Sequence, residues 1–274
     1  MYYKNELGYT YPERCDGHMI APPKVHDVVL DENYPYLQRG FWFICKRVIC
    51  WILFNFLMFW VLRITHGLRI HGKKNIRKNR KLFKEKGVIS VSNHVYRWDT
   101  MSVCKAIRPQ MLFFPVWADN VEGPDAMWIR MAGGLPVPAS IKGMKRFKAD
   151  MEEVFEKKKW VHYFPEASMW LYYPDLRPFK KSAFQYAVKY DCPILPMAFS
   201  FRPRWGITKW FTKNPFVDLT IGQPIFPDQS LSPVAATKDL IEKAAHVMQG
   251  MMGIHPGDPT YSLDQNPANY IATM

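Results

Sequence analysis

Residues 41–62 constrain the fold most strongly, because this apolar segment must be covered either by protein or by lipid. The segment reads FWFICKRVICWILFNFLMFWVL, and its uncharged part, residues 48–62, is shorter than the roughly 20 residues that cross a bilayer comfortably. Trp42, Trp51 and Trp60 belong to a residue type that concentrates at the boundary between membrane and water. We expect this segment to anchor the chain in a membrane, either dipping into one leaflet or barely spanning the bilayer.

Basic residues on both sides of the apolar segment support a membrane location. Lys46 and Arg47 precede its uncharged part. More basic residues follow it, at Arg63, Arg69, Lys73 and Lys74. The alternative is a helix buried in a soluble core, but such a helix does not explain the basic flanks together with three Trp. If the segment spans the bilayer, its more basic C-terminal side places the main domain at the cytoplasmic face.

The overall charge favours anionic partners. The chain of 274 residues has a net charge of +13, which suits acidic lipid, phosphorylated small molecules or nucleic acid. Residues 73–86, KKNIRKNRKLFKEK, are predicted to be a basic connector that is either solvated or in contact with anionic headgroups. No recognition motif or stacking platform for nucleic acid accompanies this charge, so nucleic acid is not an expected partner.

Four regions follow from the pattern of apolar and polar residues. The sequence predicts an N-terminal arm at 1–40, a membrane-anchoring helical segment at 41–72, a main domain at 73–253 and a polar tail at 254–274. In the main domain, short apolar runs alternate with amphipathic stretches. Predicted strands lie at 88–91, 111–116, 135–137, 160–164, 193–201 and 216–221. Predicted helices lie at 99–107, 124–131, 142–159, 182–190 and 237–251. This alternation indicates an α/β fold with a mostly parallel sheet flanked by helices.

A candidate catalytic pair lies in the stretch GVISVSNHVYRWDT at residues 87–100. An apolar, β-branched strand ends in Asn93 and His94, and a short helix begins near Asp99. In the turn between them, the imidazole of His94 and the carboxylate of Asp99 are able to meet. An imidazole held by a carboxylate is the usual general base near neutral pH.

The position of this pair in the fold distinguishes it from a chance spacing. His26 and Asp31 repeat the same spacing in the N-terminal arm, but they follow no strand, and we assign them no role. A second predicted strand, at 160–164, also ends in a polar cluster that contains Glu166. Catalytic groups in α/β folds collect at the carboxyl ends of strands, so we expect His94, Asp99 and Glu166 to line one crevice.

Two other classes of hydrolytic site are not supported. His66 and His71 are the closest pair of histidines, and they lack the spacing of a metal-binding HExxH motif. A serine hydrolase needs a GxSxG nucleophile elbow, which is absent from the sequence. We therefore predict neither a metal nor another cofactor.

The order of the motifs resembles that of the glycerolipid acyltransferases, the 1-acyl-sn-glycerol-3-phosphate acyltransferase group, over about residues 41–225. The family NHxxxxD block matches Asn93, His94 and Asp99, and its FPEGTRS-like block matches residues 164–170, FPEASMW. Its glycine-to-arginine block is similar to residues 134–139, GLPVPA, and its apolar block to residues 192–196, CPILP.

The resemblance implies transfer of an acyl chain from acyl-CoA or acyl carrier protein to a lysophospholipid hydroxyl, most simply that of 1-acyl-sn-glycerol-3-phosphate, giving phosphatidic acid. His94 would be the general base and Asp99 would hold its tautomer. Arg97 or backbone N–H groups at the start of the 99–107 helix would stabilise the oxyanion. Glu166 would position the glycerol hydroxyls. The resemblance implies four further substrate-binding residues: Asn93, Pro165, Ala167 and Ser168.

Two family arginines, which hold the acceptor's phosphate, are absent from their blocks. Cations close by in the sequence offer substitutes: Lys142, Lys145 and Arg146 after the second block, and Arg177, Lys180 and Lys181 after the third. Either these residues hold the phosphate, or the acceptor is a different lysolipid or an amine. A catalytically inactive membrane-binding protein of the same fold is the remaining alternative.

Overall fold

A β-sheet forms the centre of the protein in a computed structural model, which describes residues 7–12, 14–15, 17–20, 29–121, 125–210 and 212–254. Within these residues the sheet has seven strands, and the predicted mostly parallel α/β class is confirmed. The strands are β1 (Arg69–His71), β2 (Val88–Val91), β3 (Leu112–Trp117), β4 (Gly134–Val137), β5 (Trp160–Tyr163), β6 (Ile194–Arg202) and β7 (Phe216–Ile221).

The strand order β1-β7-β6-β2-β5-β3-β4 places β2 in the middle of the sheet. β2 pairs in parallel with β5 on one side and with β6 on the other. β3 and β4 extend the parallel part, while β7 runs antiparallel to β6 and β1 runs parallel to β7. The loops that follow β2, β5 and β6 therefore emerge together, at what we call the carboxyl end of the sheet.

Helices cover both faces of the sheet, which explains why all four residues of β2 are buried, without alternation between a buried and an exposed face. They are α1 (Phe41–Leu53), a π-helical segment (Phe54–Met58), α2 (Phe59–Thr65), α3 (Lys73–Lys78), α4 (Arg80–Lys86), α5 (Asp99–Ile107), α6 (Ala126–Ala132), α7 (Ile141–Glu156), α8 (Ser182–Tyr190) and α9 (Pro233–Met252). Short 3-10 helices lie at Ala118–Val121 and Gly206–Trp210. One core joins a sheet face to α7, α8 and α9 through residues such as Val154 and Phe184. The other joins the opposite face to α2, α4 and α5 through residues such as Leu62 and Val103.

The segment from α1 to α2 is a single long helix that lies along the surface of the domain. Its inward face includes a polar contact with the domain, because the buried guanidinium of Arg47 donates to the carbonyls of Leu112 (2.5 Å) and Met131 (3.3 Å). Among the described residues it is the one helix whose length and composition would allow it to cross a membrane. Its outward face exposes large apolar side chains, among them Phe41, Trp42, Ile49, Ile52, Phe56, Leu57, Trp60 and Ile64.

Two short helices, α3 and α4, occupy the stretch predicted to be a basic connector. Phe83 is buried and packs edge-on against Trp160, with ring centroids 5.5 Å apart. The Asn75 amide donates to the carbonyls of Ile221 (2.9 Å) and Gly222 (3.0 Å). These two residues attach the stretch to the sheet, while most of its basic side chains are exposed, as expected of a solvated connector.

Helix starts differ from the predicted ones where a serine caps the helix. The Ser140 hydroxyl accepts from Gly143 N, and the Ser232 hydroxyl accepts from Ala235 N, so α7 and α9 begin one and four residues earlier than predicted. The sequence did not predict β1. His26, the proposed helix start at Pro124, and residues 255–274 of the predicted tail lie outside the described residues.

Candidate active site

His94 and Asp99 meet at the carboxyl end of β2, as expected from the strand-turn-helix pattern. Asp99 Oδ2 pairs with His94 Nδ1, while Asp99 Oδ1 accepts from Thr100 N at 2.7 Å. The Asp99 side chain is 1% exposed and the His94 side chain is 23% exposed. Because Nδ1 is held by the carboxylate, Nε2 is the imidazole nitrogen that a substrate would meet.

The loop after β5 fixes the position of His94. The His94 N–H donates to Glu166 Oε2, and the His94 carbonyl accepts from Trp170 N, each at 3.0 Å. The imidazole stacks on Phe164 with ring centroids 4.1 Å apart and an interplanar angle of 18°. The two sequence blocks that were predicted to converge are thus joined by backbone and ring contacts around His94.

Asn93 supports this arrangement from β6. Its side chain is buried, its Nδ2 donates to the Phe199 carbonyl at 3.0 Å, and its Oδ1 accepts from Phe199 N at 2.7 Å. The sequence predicts that Asn93 binds substrate. The structure places its amide in contacts between β2 and β6, where it holds the strand end that presents His94.

Glu166 and Arg177 form a buried ion pair beside His94. Both side chains are 1% exposed, and Arg177 Nη2 lies 3.0 Å from Glu166 Oε2. Glu166 Oε1 also accepts from the Arg177 backbone N–H at 2.8 Å. From the sequence we expect Glu166 to bind acceptor hydroxyls and Arg177 to bind a phosphate. The structure pairs these two side chains with each other, because a loop returns Arg177 to the carboxylate.

The described part of the N-terminal arm packs on the same loop. Arg177 Nη1 donates to the Ser168 hydroxyl at 2.8 Å, and its guanidinium lies 4.5 Å from the centre of the Trp170 ring. The Ser168 hydroxyl and Trp170 Nε1 both donate to the Gly17 carbonyl, at 3.0 and 2.8 Å. Tyr11 stacks on Trp170 with centroids 5.6 Å apart. Ser168, predicted to bind substrate, therefore lies between the ion pair and the arm.

Ala167 lies in a tight turn, which explains why the family block has a glycine where this chain has alanine. Ala167 has φ 64°, and its N–H donates to the Phe164 carbonyl at 2.9 Å. This left-handed conformation costs an L-residue roughly 1–2 kcal/mol, whereas glycine adopts it freely. The Pro165 carbonyl accepts from Lys180 N at 2.8 Å, which places the start of the Lys180–Lys181 pair beside this turn.

The predicted oxyanion donors are largely paired. At the start of α5, Asp99 N donates to the Tyr96 carbonyl and Ser102 N donates to the Trp98 carbonyl, so these N–H groups face their own turn. Arg97 is 70% exposed and lies 2.5 Å from the exposed carboxylate of Asp125. Exposed ion pairs of this kind exchange readily with solvent and ligands.

The remaining predicted phosphate ligands lie at the surface. Lys142 is 80% exposed and lies 3.6 Å from Glu32, while Arg146 lies 3.4 Å from Asp150 on its own helix. Lys180 is partly buried and Lys181 is exposed at the start of α8. Of the predicted cations other than Arg177, Lys180 and Lys181 are therefore the pair attached to the loop that holds His94.

A buried polar chain next to the catalytic pair was missed from the sequence. His162 on β5 lies opposite Ser90 on β2, with Nδ1 2.8 Å from Ser90 Oγ and Nε2 3.2 Å from Ser92 Oγ. Phe164 lies between the two imidazoles, stacked on His94 and edge-on to His162. Polar residues inside two strands that are otherwise apolar were the available signal, because such residues need partners when buried.

The buried state of His162 predicts a pH dependence of stability. Burial, with a smaller effect of the neighbouring His94, lowers the pKa of His162 from 6.5 to about 3. Below pH 6.5 the unfolded chain gains a proton that the folded chain does not, so stability falls as the pH decreases towards 3. At pH 5 we expect this group to lower the free energy of unfolding by about 2 kcal/mol.

Urea unfolding followed by circular dichroism in a non-ionic detergent measures this effect. The wild-type chain is expected to lose more stability between pH 7.5 and pH 5 than a His162→Gln variant, which has no titrating group at this position. Parallel pH profiles for the two proteins would show that His162 takes up a proton as easily in the folded chain as in the unfolded one.

No group of three or more His, Cys, Asp and Glu side chains that could hold a metal ion occurs in the part of the chain that the structure describes. The site described above consists of a His–Asp pair, its supporting backbone contacts and nearby cations. Such a site is equipped to remove a proton from a hydroxyl group.

Comparisons with known proteins agree with the motifs and the fold. The family model described as Acyltransferase matches residues 67–200, which include the whole His94 site. A search of curated proteins gave no match. The crystal structure of the 1-acyl-sn-glycerophosphate (LPA) acyltransferase PlsC from Thermotoga maritima is similar, with a TM-score of 0.52 and 19% identity over 81% of this chain and 86% of that chain. Residues 67–200, which carry the His94 site, therefore match the acyltransferase family model, as the order of the motifs predicts, and the similar solved structure shows the same fold.

Proposed function

We propose that this protein is a membrane-associated acyltransferase that moves an acyl chain from a thioester to the free hydroxyl of a lysophospholipid, most simply 1-acyl-sn-glycerol-3-phosphate. The observation that supports this most directly is the His94–Asp99 pair at the carboxyl end of β2. An acyl thioester is already activated, so the reaction requires a base for the hydroxyl and stabilisation of one oxyanion, without a covalent enzyme intermediate.

In this mechanism the acceptor hydroxyl attacks the thioester carbonyl while His94 Nε2 removes its proton. Asp99 keeps the Nδ1 proton in place and stabilises the imidazolium as it forms. Collapse of the tetrahedral intermediate breaks the carbon–sulfur bond, and the proton passes from His94 to the leaving thiolate. The reaction then yields one ester and one thiol, and the imidazole returns to its neutral form.

Arg97 is our candidate for the oxyanion contact. It lies three residues after His94, it is 70% exposed, and its ion pair with Asp125 joins two exposed side chains. Release of that ion pair would free a guanidinium whose charge favours the developing oxyanion. The N–H groups of Asp99 and Ser102 are less suited to this role because they already donate within their own turn.

Lys180 and Lys181 are our candidates for the acceptor's phosphate or the phosphates of the donor. The backbone of Lys180 is attached to Pro165 in the loop that holds His94, whereas Arg177 is paired with Glu166. An ammonium group binds phosphate as a point charge and lacks the two-pronged geometry of arginine. A site built on lysine would thus discriminate less between anionic headgroups than one built on arginine.

A membrane location follows in this proposal from the exposed face of the helix at residues 41–65. Trp42 is 75% exposed, Phe56 69% and Ile64 73%, and all three lie on the outward face of that helix. Burial of such a face in lipid removes apolar surface from water, and the helix would lie in or across one membrane with the catalytic domain on the cytoplasmic side. Acyl chains of both substrates would then reach the site from the bilayer.

A donor-by-acceptor matrix tests the proposed reaction. Purified full-length protein would receive acyl-CoA or acyl carrier protein donors together with lysophosphatidic acid, other lysolipids or an amine acceptor. We expect ester products from lysophospholipids, with phosphatidic acid formed fastest, and mass spectrometry would identify them. Reactions without acceptor control for simple thioester hydrolysis. If no donor gives a product with any acceptor, the proposed reaction is wrong.

A further inference from the structure

The connection between β6 and β7 exposes an unusual set of apolar side chains. Residues 203–215 join the antiparallel strands β6 and β7. This connection is much longer than the two-residue turn that is sufficient to join two antiparallel strands. Within this loop Trp205 is 69% exposed, Ile207 68% and Trp210 88%. A long connection in a compact domain commonly has a function of its own. Nothing in the catalytic arrangement described above requires these three side chains.

The loop is held firmly at its base, so the exposed side chains occupy a defined place. Arg204 is 8% exposed, and its guanidinium donates to the Asn214 carbonyl across the loop at 2.5 Å. The same guanidinium donates to the Thr65 carbonyl at 2.5 Å, and it lies 4.5 Å from the centre of the Phe216 ring. These contacts fix the loop beside the C-terminal end of the helix at residues 41–65. Its exposed side chains therefore lie near the end of that helix's exposed apolar face.

The loop also lies on the same side of the sheet as the catalytic pair. β6 is parallel to β2, so residues 203–215 follow the carboxyl end of β6 just as His94 follows the carboxyl end of β2. The Tyr172 ring, in the loop after β5, lies 5.6 Å from the Phe201 ring at the end of β6. Any surface that binds residues 203–215 would consequently be brought close to His94.

Charge and residue type favour an anionic bilayer as the occupant of this loop. Tryptophan prefers the interface between lipid and water, and two exposed lysines lie near Trp210 in the sequence, Lys209 directly before it and Lys213 three residues after it. Each basic side chain near an anionic membrane contributes about 1 kcal/mol. Lysine is depleted in the centres of protein–protein interfaces, which makes a protein partner a poorer fit.

We propose that the exposed side chains of residues 203–210 and 212–215 insert into the headgroup layer of an anionic phospholipid bilayer as a second membrane contact, besides the helix at residues 41–65. The two contacts together hold the carboxyl end of the sheet, and with it His94, against the lipid surface. This inference rests on the membrane location in the proposed function, but it does not require that the chain transfer acyl groups.

Quenching by brominated lipid tests the contact in the full-length protein. The protein would be reconstituted in vesicles of phosphatidylcholine and phosphatidylglycerol, with or without bromine near the headgroup end of the acyl chains. We expect the double variant Trp205→Phe/Trp210→Phe to lose the part of the bromine-sensitive emission that comes from these two indoles. Trp160→Phe, which removes a buried indole in the sheet, is the matched control and should leave the bromine-sensitive emission unchanged.

A charge variant tests the preference for anionic lipid. Lys209→Glu/Lys213→Glu should lower the bromine-sensitive emission on vesicles that contain phosphatidylglycerol, whereas Lys238→Glu on α9 should not. Circular dichroism melting would verify that each variant is folded. Equal bromine-sensitive emission from the wild type and the Trp205→Phe/Trp210→Phe variant would overturn the proposal, and would be the result if a protein or a second copy of the chain covered the loop.

The quenching experiment separates this proposal from the proposed reaction. A protein whose loop indoles are quenched but which gives no product in the donor-by-acceptor matrix would keep the membrane contact and lose the reaction. A protein that forms product while its loop indoles are not quenched would keep the reaction and lose the contact.

Discussion

Replacement of His94 by alanine is expected to lower the rate of acyl transfer by about 10²–10⁴-fold, the usual contribution of a general base. The variant removes the imidazole but leaves the backbone contacts of residue 94 with Glu166 and Trp170 in place. The loss should therefore appear in the rate of the chemical step while the protein remains folded and bound to vesicles. Initial rates with the best donor and acceptor of the matrix, together with vesicle flotation, measure both properties.

His71 offers a matched control for this variant. Its Nε2 lies 3.9 Å from Asp218 Oδ2, so it is a second histidine beside an aspartate, but it lies on β1 with a side chain that is 52% exposed. His71→Ala should retain the wild-type rate. If His94→Ala transfers acyl groups as fast as His71→Ala does, His94 is not the base.

The sequence predicted most of the sheet because each strand is a short apolar run between polar turns. β7 and α8 lie at their predicted residues, and β2, β5 and β6 differ from the prediction by at most a residue at either end. β1 was missed because it has only three residues and is defined by pairing of Arg69 with Asp218, far along the chain. Such pairing depends on tertiary structure and leaves no local signal.

The part of the candidate site that depends on the order and direction of the strands could be predicted from the sequence. His94 and Glu166 both follow strands, and parallel pairing of β2 with β5 brings the loops after them together. The partner of Glu166 was not predictable, because Arg177 returns to it through a loop and appears in the sequence as one cation among several. The cation that pairs with Glu166 differs from the others in its burial, which the sequence does not reveal: Arg177 is 1% exposed, whereas Lys142 is 80% exposed.

Replacement of Arg177 by methionine is expected to destabilise the fold by about 3–5 kcal/mol, the usual cost when one partner of a buried ion pair is removed. The Glu166 carboxylate would stay buried, with only the backbone N–H groups of His94 and residue 177 as donors. Since Glu166 also holds the His94 backbone, the activity that remains should be reduced as well, because small displacements of a catalytic group are costly. Urea unfolding and initial rates on the same preparation measure the two effects.

The ion pair itself can be separated from other effects of the substitution by a double-mutant cycle. Glu166→Gln alone leaves the Arg177 guanidinium buried beside Ser168 and Trp170, whereas Glu166→Gln combined with Arg177→Met leaves no charge at these two positions. We therefore expect the double variant to be more stable than the sum of the single changes predicts, with a coupling energy of about 1–3 kcal/mol. Lys243→Met, which breaks an exposed pair with Asp239 on α9, is the control and should leave the urea midpoint unchanged. Additive effects of Glu166→Gln and Arg177→Met would mean that the two side chains are not coupled. The loop that holds His94 would then owe its position to its backbone contacts alone.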